Sequence, residues 1–144
     1  RYADALLLKA ECEAKTGSDD LGLGEVNAVR SRAANPDGFV KEADGITPAA
    51  NYVIGLYSGF TGARYALKAI KFERKLELGQ EGHRYYDLQR WNNVVLELNR
   101  ILSHEKSMPW GWMYGSATVG PEDVNYPIPQ RQIDSHQGRL VQNR

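Results

Sequence analysis

The chain has 144 residues, enough for one domain with a modest core, and nothing in its length requires a second. Lys plus Arg and Asp plus Glu both number 18, so the chain lacks the basic excess with which nucleic-acid binders release counterions from phosphates, and no nucleic-acid partner is expected. A single cysteine cannot close an internal disulfide, and no apolar run approaches the roughly 20 residues that span a bilayer.

Helical spacing opens the chain. From Tyr2 to about Lys15 the residues Ala3, Leu6, Leu7, Ala10 and Ala14 recur at intervals of three and four, with Leu8 and Cys12 widening the apolar face. Among these neighbours Cys12 reads as a small buried hydrophobe rather than a reactive thiol. The first residues, Arg1-Tyr2, include neither methionine nor a capping side chain and already lie inside the pattern. An upstream segment carrying any targeting signal is therefore expected. Gly17 supplies a stop, and Ser18-Asp19-Asp20 offers capping groups for a second stripe of Leu23, Val26, Asn27, Arg30 and Ala33. Residues 1–34 thus read as an αα-hairpin of tetratricopeptide type, although no second copy recurs at a fixed period.

Residues 35–64 open with Asn35-Pro36-Asp37-Gly38 and then run without a sustained period, rich in Gly, Ala, Thr, Asn and Tyr, which predicts a long loop. Helical spacing returns over 65–103. It runs through Tyr65, Leu67, Ile70, Arg74 and Leu78, breaks at Gly79 and Gly82, and resumes near His83 with Tyr86, Leu88 and Trp91, continuing toward Val94, Val95, Leu98 and Leu102. Residues 104–144 are irregular apart from a short helical turn around Gln132-Ile133. No alternating strand pattern appears. The expected fold is mainly α, an irregular helical fold with one tetratricopeptide-like hairpin, long loops and little or no sheet.

Three sets of residues bear on chemistry. Glu73, Arg74 and Glu77 on one helix, and Arg84, Asp87 and Arg90 on the next, interrupt apolar stripes at spacings of three and four residues. Charges persist at partly buried positions mainly when paired, so a structural ion-pair network is one reading. Catalysis by paired carboxylates, as in glycosidases, is the other. An arginine within one turn of each carboxylate favours its ionised form and spoils it as a general acid, which favours the network. His83 with Glu81 and Asp87 resembles part of a metal site, yet His104 and His136 lie in unrelated surroundings, so no metal and no cofactor is expected. Gly55, Gly59 and Gly62 lack the lysine and hydroxyl of a phosphate loop, and Ser58, Ser103, Ser107 and Ser116 lack a nucleophile elbow.

The aromatics form the third set. Trp110, Trp112 and Tyr114 alternate along a segment with Gly111 and Gly115, while Tyr52 and Tyr57, near Phe60, sit in the other long loop. Flat rings on loops suit a sugar or peptide binder, because they offer an apolar face for stacking and a polar hydrogen for orientation. Packing down to anchor a mobile loop is the alternative use of each ring.

The run Ala69-Ile-Lys-Phe-Glu-Arg-Lys-Leu-Glu-Leu78, continued by Glu81-Gly-His-Arg-Tyr-Tyr-Asp-Leu-Gln-Arg-Trp91, resembles the signature of the SusD/RagB family. Arg1-Tyr-Ala-Asp-Ala-Leu-Leu-Leu8 with Glu11, Val26-Asn-Ala-Val-Arg-Ser-Arg-Ala33, Tyr126-Pro-Ile-Pro129 with Ile133, and Leu140-Val-Gln-Asn143 resemble further family segments in the family's order. Gln80 departs from it, standing where the family often has an apolar residue. The resemblance implies the C-terminal portion of a non-enzymatic nutrient-binding lipoprotein at the outer-membrane surface of Bacteroidota. Such a protein captures glycans or, in some members, peptides, and delivers them to a TonB-dependent SusC-like transporter. Its membrane contact would be an N-terminal lipid anchor upstream of this sequence. A scaffold or docking module without ligand is the alternative role. The family's ligand residues vary and lie on loops, so the resemblance transfers no binding residue, and Trp110, Trp112, Tyr114, Tyr52 and Tyr57 stand as candidates from their chemistry alone.

Overall fold

The structure is a computed structural model describing residues 1–142; Asn143, in the closing stretch of the resemblance, lies outside the described residues. It is mainly α. Among the described residues six α-helices run in the order α1 Tyr2–Thr16, α2 Leu23–Ala33, α3 Ala63–Glu77, α4 His83–Arg90, α5 Val94–Lys106 and α6 Gln130–Ser135. The described residues contain one isolated antiparallel bridge, Lys41 with Pro48, and no strand longer than that. No described helix is long and apolar enough to cross a membrane. The chain divides into two units, residues 1–84 and Tyr85 onward.

In the first unit α1 packs against both α2 and α3. Its buried face consists of Ala3, Leu7, Ala10 and Ala14, and these meet Val26 and Val29 of α2 and Ala66 and Ile70 of α3. Four of these eight side chains are alanine, so the helix backbones approach closely. The hairpin turn shows how closely. Gly22 precedes α2 with φ +81°, and a Cβ built on it would lie 2.7 Å from the Ala10 Cα. Only glycine meets both demands, the left-handed conformation and the missing methyl. At the other side of the turn Gly17 closes α1 at φ 77°, donating its N–H to the Glu13 carbonyl at 3.0 Å. Asp20 then accepts the Gly22 and Gly24 amides at 3.1 and 3.3 Å, and these bonds hold its carboxyl below the ordinary range.

Cys12 is exposed rather than buried, and Leu8 is exposed with it. The inward face of α1 follows Ala3, Leu7, Ala10 and Ala14, at intervals of four, three and four. Residues 8 and 12 lie on the opposite side, where Leu8 widens nothing. Glu11 is buried in their stead, with Lys15 Nζ 2.7 Å from its carboxylate.

The predicted continuation of the helix after Trp91 is interrupted. Asn92 adopts φ 53°, and α5 starts afresh at Val94. In the second unit α5 packs on two 3₁₀ turns, Gly111–Met113 and Pro121–Val124. Irregular backbone there is held by side-chain amides. Asn99 donates to the Val119 carbonyl at 2.8 Å and accepts its N–H at 3.0 Å, and Gln142 does the same for Ile128 at 3.0 and 2.7 Å. A segment with no strand partner still has to satisfy both backbone groups of each residue, and a side-chain amide offers the matching donor and acceptor.

Candidate functional site

Glu73, Arg74 and Glu77 of α3 are paired inside the first unit. Glu73 is 5% exposed and Arg74 3%. Arg30 Nη1 of α2 donates to Glu73 Oε2 at 2.7 Å, and Arg74 Nη1 donates to Asp4 Oδ1 of α1 at 2.7 Å. Glu77 takes Arg32 at 2.5 Å and Arg1 at 3.1 Å, and Arg1 reaches Glu81 as well, at 2.6 Å. These named partners lie on α2, on α1 and at Arg1 just before it, far away in sequence, rather than one turn along. In the second unit Asp87, also buried, accepts Arg90 Nε at 2.8 Å on its own helix. Arg84 closes the first unit. Each carboxylate of α3 therefore faces a guanidinium from a distant part of the chain, an arrangement that ties the helices of the first unit together.

Arg30 has two further contacts. Its Nε donates to the Gly55 carbonyl at 2.5 Å, and its guanidinium lies 5.0 Å from the centroid of the Tyr57 ring. One turn earlier, Asn27 pairs with the backbone of Tyr57, donating to its carbonyl and accepting its N–H, both at 2.9 Å. The end of the long loop is thus strapped along α2. Tyr57 and Phe60 then lean on the hydrophobic core, with ring centroids 5.4 Å apart, and Phe60 meets Tyr65 edge-on at 6.0 Å. Further up the loop Tyr52 stacks on Phe39 at 4.2 Å. Tyr57 and Tyr52 each have one face occupied by the protein. The residues that hold this loop, Asn27 and Arg30, were not singled out from sequence. Their only signal was that two polar side chains interrupt an apolar stripe of α2.

The other aromatics sit in the second unit. Trp110, Trp112 and Tyr114 occur on and beside the 3₁₀ turn Gly111–Met113. Trp112 is 80% exposed and Trp110 46%. The Trp110 indole Nε1 donates to Glu105 Oε2 at 2.8 Å, which fixes the ring relative to α5. Gly111 makes the turn possible, since a Cβ on it would stand 2.1 Å from the Lys106 carbonyl oxygen. Beside α5 runs an open, largely apolar groove of about 640 Å³, bordered by Val95, Leu96, Asn99, Pro121 and Val124.

The histidines remain apart. His83 opens α4, His104 lies in the last turn of α5, and His136 Nδ1 is 2.9 Å from the Gln132 carbonyl. Among the described residues no three His, Cys, Asp or Glu side chains gather in a geometry that could hold a metal ion, and Glu81 is engaged with Arg1.

Comparison with known proteins gives two similarities. The profile of the SusD family matches residues 1–144. A SusD-like protein of Formosa agariphila is 29% identical over 133 residues, a match that covers 92% of this chain and 21% of that protein. The chain therefore spans about a fifth of the length of this relative. With a family match over its whole length, a helical hairpin cross-braced by buried ion pairs, and candidate binding groups confined to loops, the chain belongs to the SusD family.

Proposed function

We propose that this chain is part of a cell-surface binding protein that captures a nutrient glycan and passes it to a TonB-dependent SusC-like transporter in the outer membrane, held there by a lipid anchor on the upstream chain. The reading rests on membership of the SusD family together with one structural observation, the exposed tryptophan pair of the 3₁₀ turn. Trp112 offers a large flat ring to solvent, and Trp110 offers about half of one, held in orientation by Glu105. A pyranose presents a C–H face that stacks on such a ring, with hydroxyls left at the rim for polar contacts. Tyr114 is half-buried at the end of the turn, and Tyr52 and Tyr57 are secondary candidates with one face each. The function is binding, with no catalytic step and no cofactor.

The test is retention of the full-length protein in native gels containing a panel of glycans. Replacing Trp110, Trp112 and Tyr114 together by alanine is expected to abolish retention while the helical circular dichroism stays unchanged; undiminished retention overturns the assignment.

The groove beside α5 favours a second reading, in which the second unit docks a partner or takes a peptide. Its apolar border, with Leu96 exposed, suits aliphatic side chains better than sugar hydroxyls. Leu96→Asp separates the two readings: loss of transporter association with intact glycan retention supports docking.

A further inference from the structure

One hollow of the second unit lies where α4 meets the turn Pro121–Val124. Tyr85 and Gln89, one turn apart on α4, hold that turn from below. The Tyr85 hydroxyl donates to the Asp123 carbonyl at 2.8 Å, with the Val124 carbonyl 3.0 Å away, and the Gln89 amide donates to the Val124 carbonyl. Four residues on, the Gln142 side chain grips both backbone groups of Ile128. Between these two fixed points Asn125 and Tyr126 border an open hollow of about 340 Å³, together with Tyr85, Glu122 and Asp123. Irregular backbone anchored at both ends presents its side chains in a set arrangement, so little ordering is left for a ligand to impose.

The groups at the rim differ in how far the protein already uses them. Asp123 Oδ2 accepts the Gly120 N–H at 2.8 Å and so closes the turn. Glu122 and the Asn125 carboxamide form no hydrogen bond or ion pair among the described residues. A Cβ on Gly120 would stand 2.3 Å from Glu122 Oε1, so the absent side chain at 120 is what lets the Glu122 carboxylate fold against the turn. Tyr126 is 75% exposed, and its ring centroid lies 6.1 Å from that of Tyr85, which in turn meets Tyr86 edge-on at 6.2 Å. An aromatic ring offers a stacking face for sugar C–H groups, a carboxylate accepts two hydroxyl hydrogens in charge-assisted bonds, and a carboxamide both donates and accepts. Two carboxylates and no Lys or Arg border the hollow, so a uronate or sulfate group there would meet like charge. Its volume, at the lower end of the roughly 300–1,000 Å³ of small-molecule sites, suits a short stretch of glycan.

We propose that this hollow is a subsite for a glycan without acidic groups, with Tyr126 stacking on a sugar face and Glu122 and Asn125 bonded to its hydroxyls. This rests on the glycan-binding reading above, narrows it to a substrate class, and adds a contact to the tryptophan turn.

The test is calorimetry of the full-length protein with maltohexaose, cellohexaose and laminarihexaose as neutral ligands, and with alginate oligosaccharide and poly-lysine as charged ones. At least one neutral oligosaccharide is expected to bind more tightly than alginate. Tyr126→Ala and Glu122→Ala are each expected to weaken it about tenfold, the loss of one stacking face or one charge-assisted contact. Tyr126→Phe, which keeps the ring, is expected to recover most of the loss, and this separates stacking from a folding defect. Alginate bound as tightly as every neutral ligand overturns the proposal. Poly-lysine binding that falls in Glu122→Ala, with neutral-glycan binding unchanged there, would mean the hollow reads positive charge alone, and overturns it too. Neutral-glycan affinity unchanged in both alanine variants overturns it and leaves the broader reading standing. Failure of the parent protein to bind any glycan removes both.

Discussion

Arg30 Nη1 lies 2.7 Å from Glu73 Oε2 across 43 positions of sequence, and the same guanidinium holds the Gly55 carbonyl. One cation thus joins α2, α3 and the end of the long loop. Glu73→Ala leaves that cation mostly buried and without its carboxylate, so the variant is expected to lose about 3–5 kcal/mol of stability. Replacing both partners by apolar residues, Arg30→Met/Glu73→Leu, is expected to cost far less, because no ion is then left stranded. Urea denaturation followed by circular dichroism measures both. Equal losses in the single and double variants would show that the pair is not coupled.

Two glycines of the hairpin turn should respond differently to the same change. Both have φ near +80°, but a Cβ on Gly22 meets Ala10, whereas one on Gly17 meets nothing within 4 Å. Gly17→Ala is expected to cost about 1 kcal/mol, the strain of a left-handed alanine. Gly22→Ala adds a clash with backbone and is expected to cost about 2–4 kcal/mol. Thermal melts that rank the two the other way would contradict the close approach of α1 and α2.

The strap along α2 can be loosened without touching an ion. Asn27→Ala removes both hydrogen bonds to the Tyr57 backbone and is expected to cost about 1–3 kcal/mol locally. Amide exchange resolved by peptide should accelerate over residues 55–60 and not in α1. Uniform acceleration through α1 and α3 would mean the strap and the helices open together.

A pH effect is expected at the loop tip. Asp44 accepts the Ile46 and Thr47 amides at 2.8 and 2.9 Å and the Thr47 hydroxyl at 2.5 Å. The hydroxyl bond first, and then the two amides, lower its pKa below the ordinary carboxylate value. A carboxyl with a depressed folded pKa favours the ordered turn at pH values above the unfolded pKa, about 3.9, and that contribution disappears as pH falls through the lower folded value. Amide shifts of Ile46 and Thr47 should therefore titrate together below pH 4, and Asp44→Asn should abolish the titration. A midpoint at or above 4 would rule out the arrangement.

Local features of the fold were legible because their causes are local. The hairpin follows from alanines at helical intervals and a glycine stop, and the absence of sheet from the absence of alternation. Cys12 and Leu8 were misjudged because apolar character alone does not say which side of α1 is inward; the contact at Gly22 and Ala10 decides that, and it needs both helices. The helix break at Asn92 depends on one residue taking a left-handed conformation, which asparagine tolerates without announcing. Partners of Glu73 and Arg74 lie on α2 and α1, and spacing within one helix cannot reveal them. Trp110, Trp112 and Tyr114 were legible as loop aromatics, but that Gly111 admits a 3₁₀ turn among them was not.

Trp91, Trp110 and Trp112 are the chain's three tryptophans, and all belong to the second unit. Indole fluorescence excited beyond the tyrosine band therefore reports on that unit alone, while the hairpin and α3 are dark to it. Far-ultraviolet dichroism sees both units. Unfolding curves from the two signals superimpose only if both units melt in one transition, so this distribution of chromophores makes the cooperativity of the chain measurable without any label.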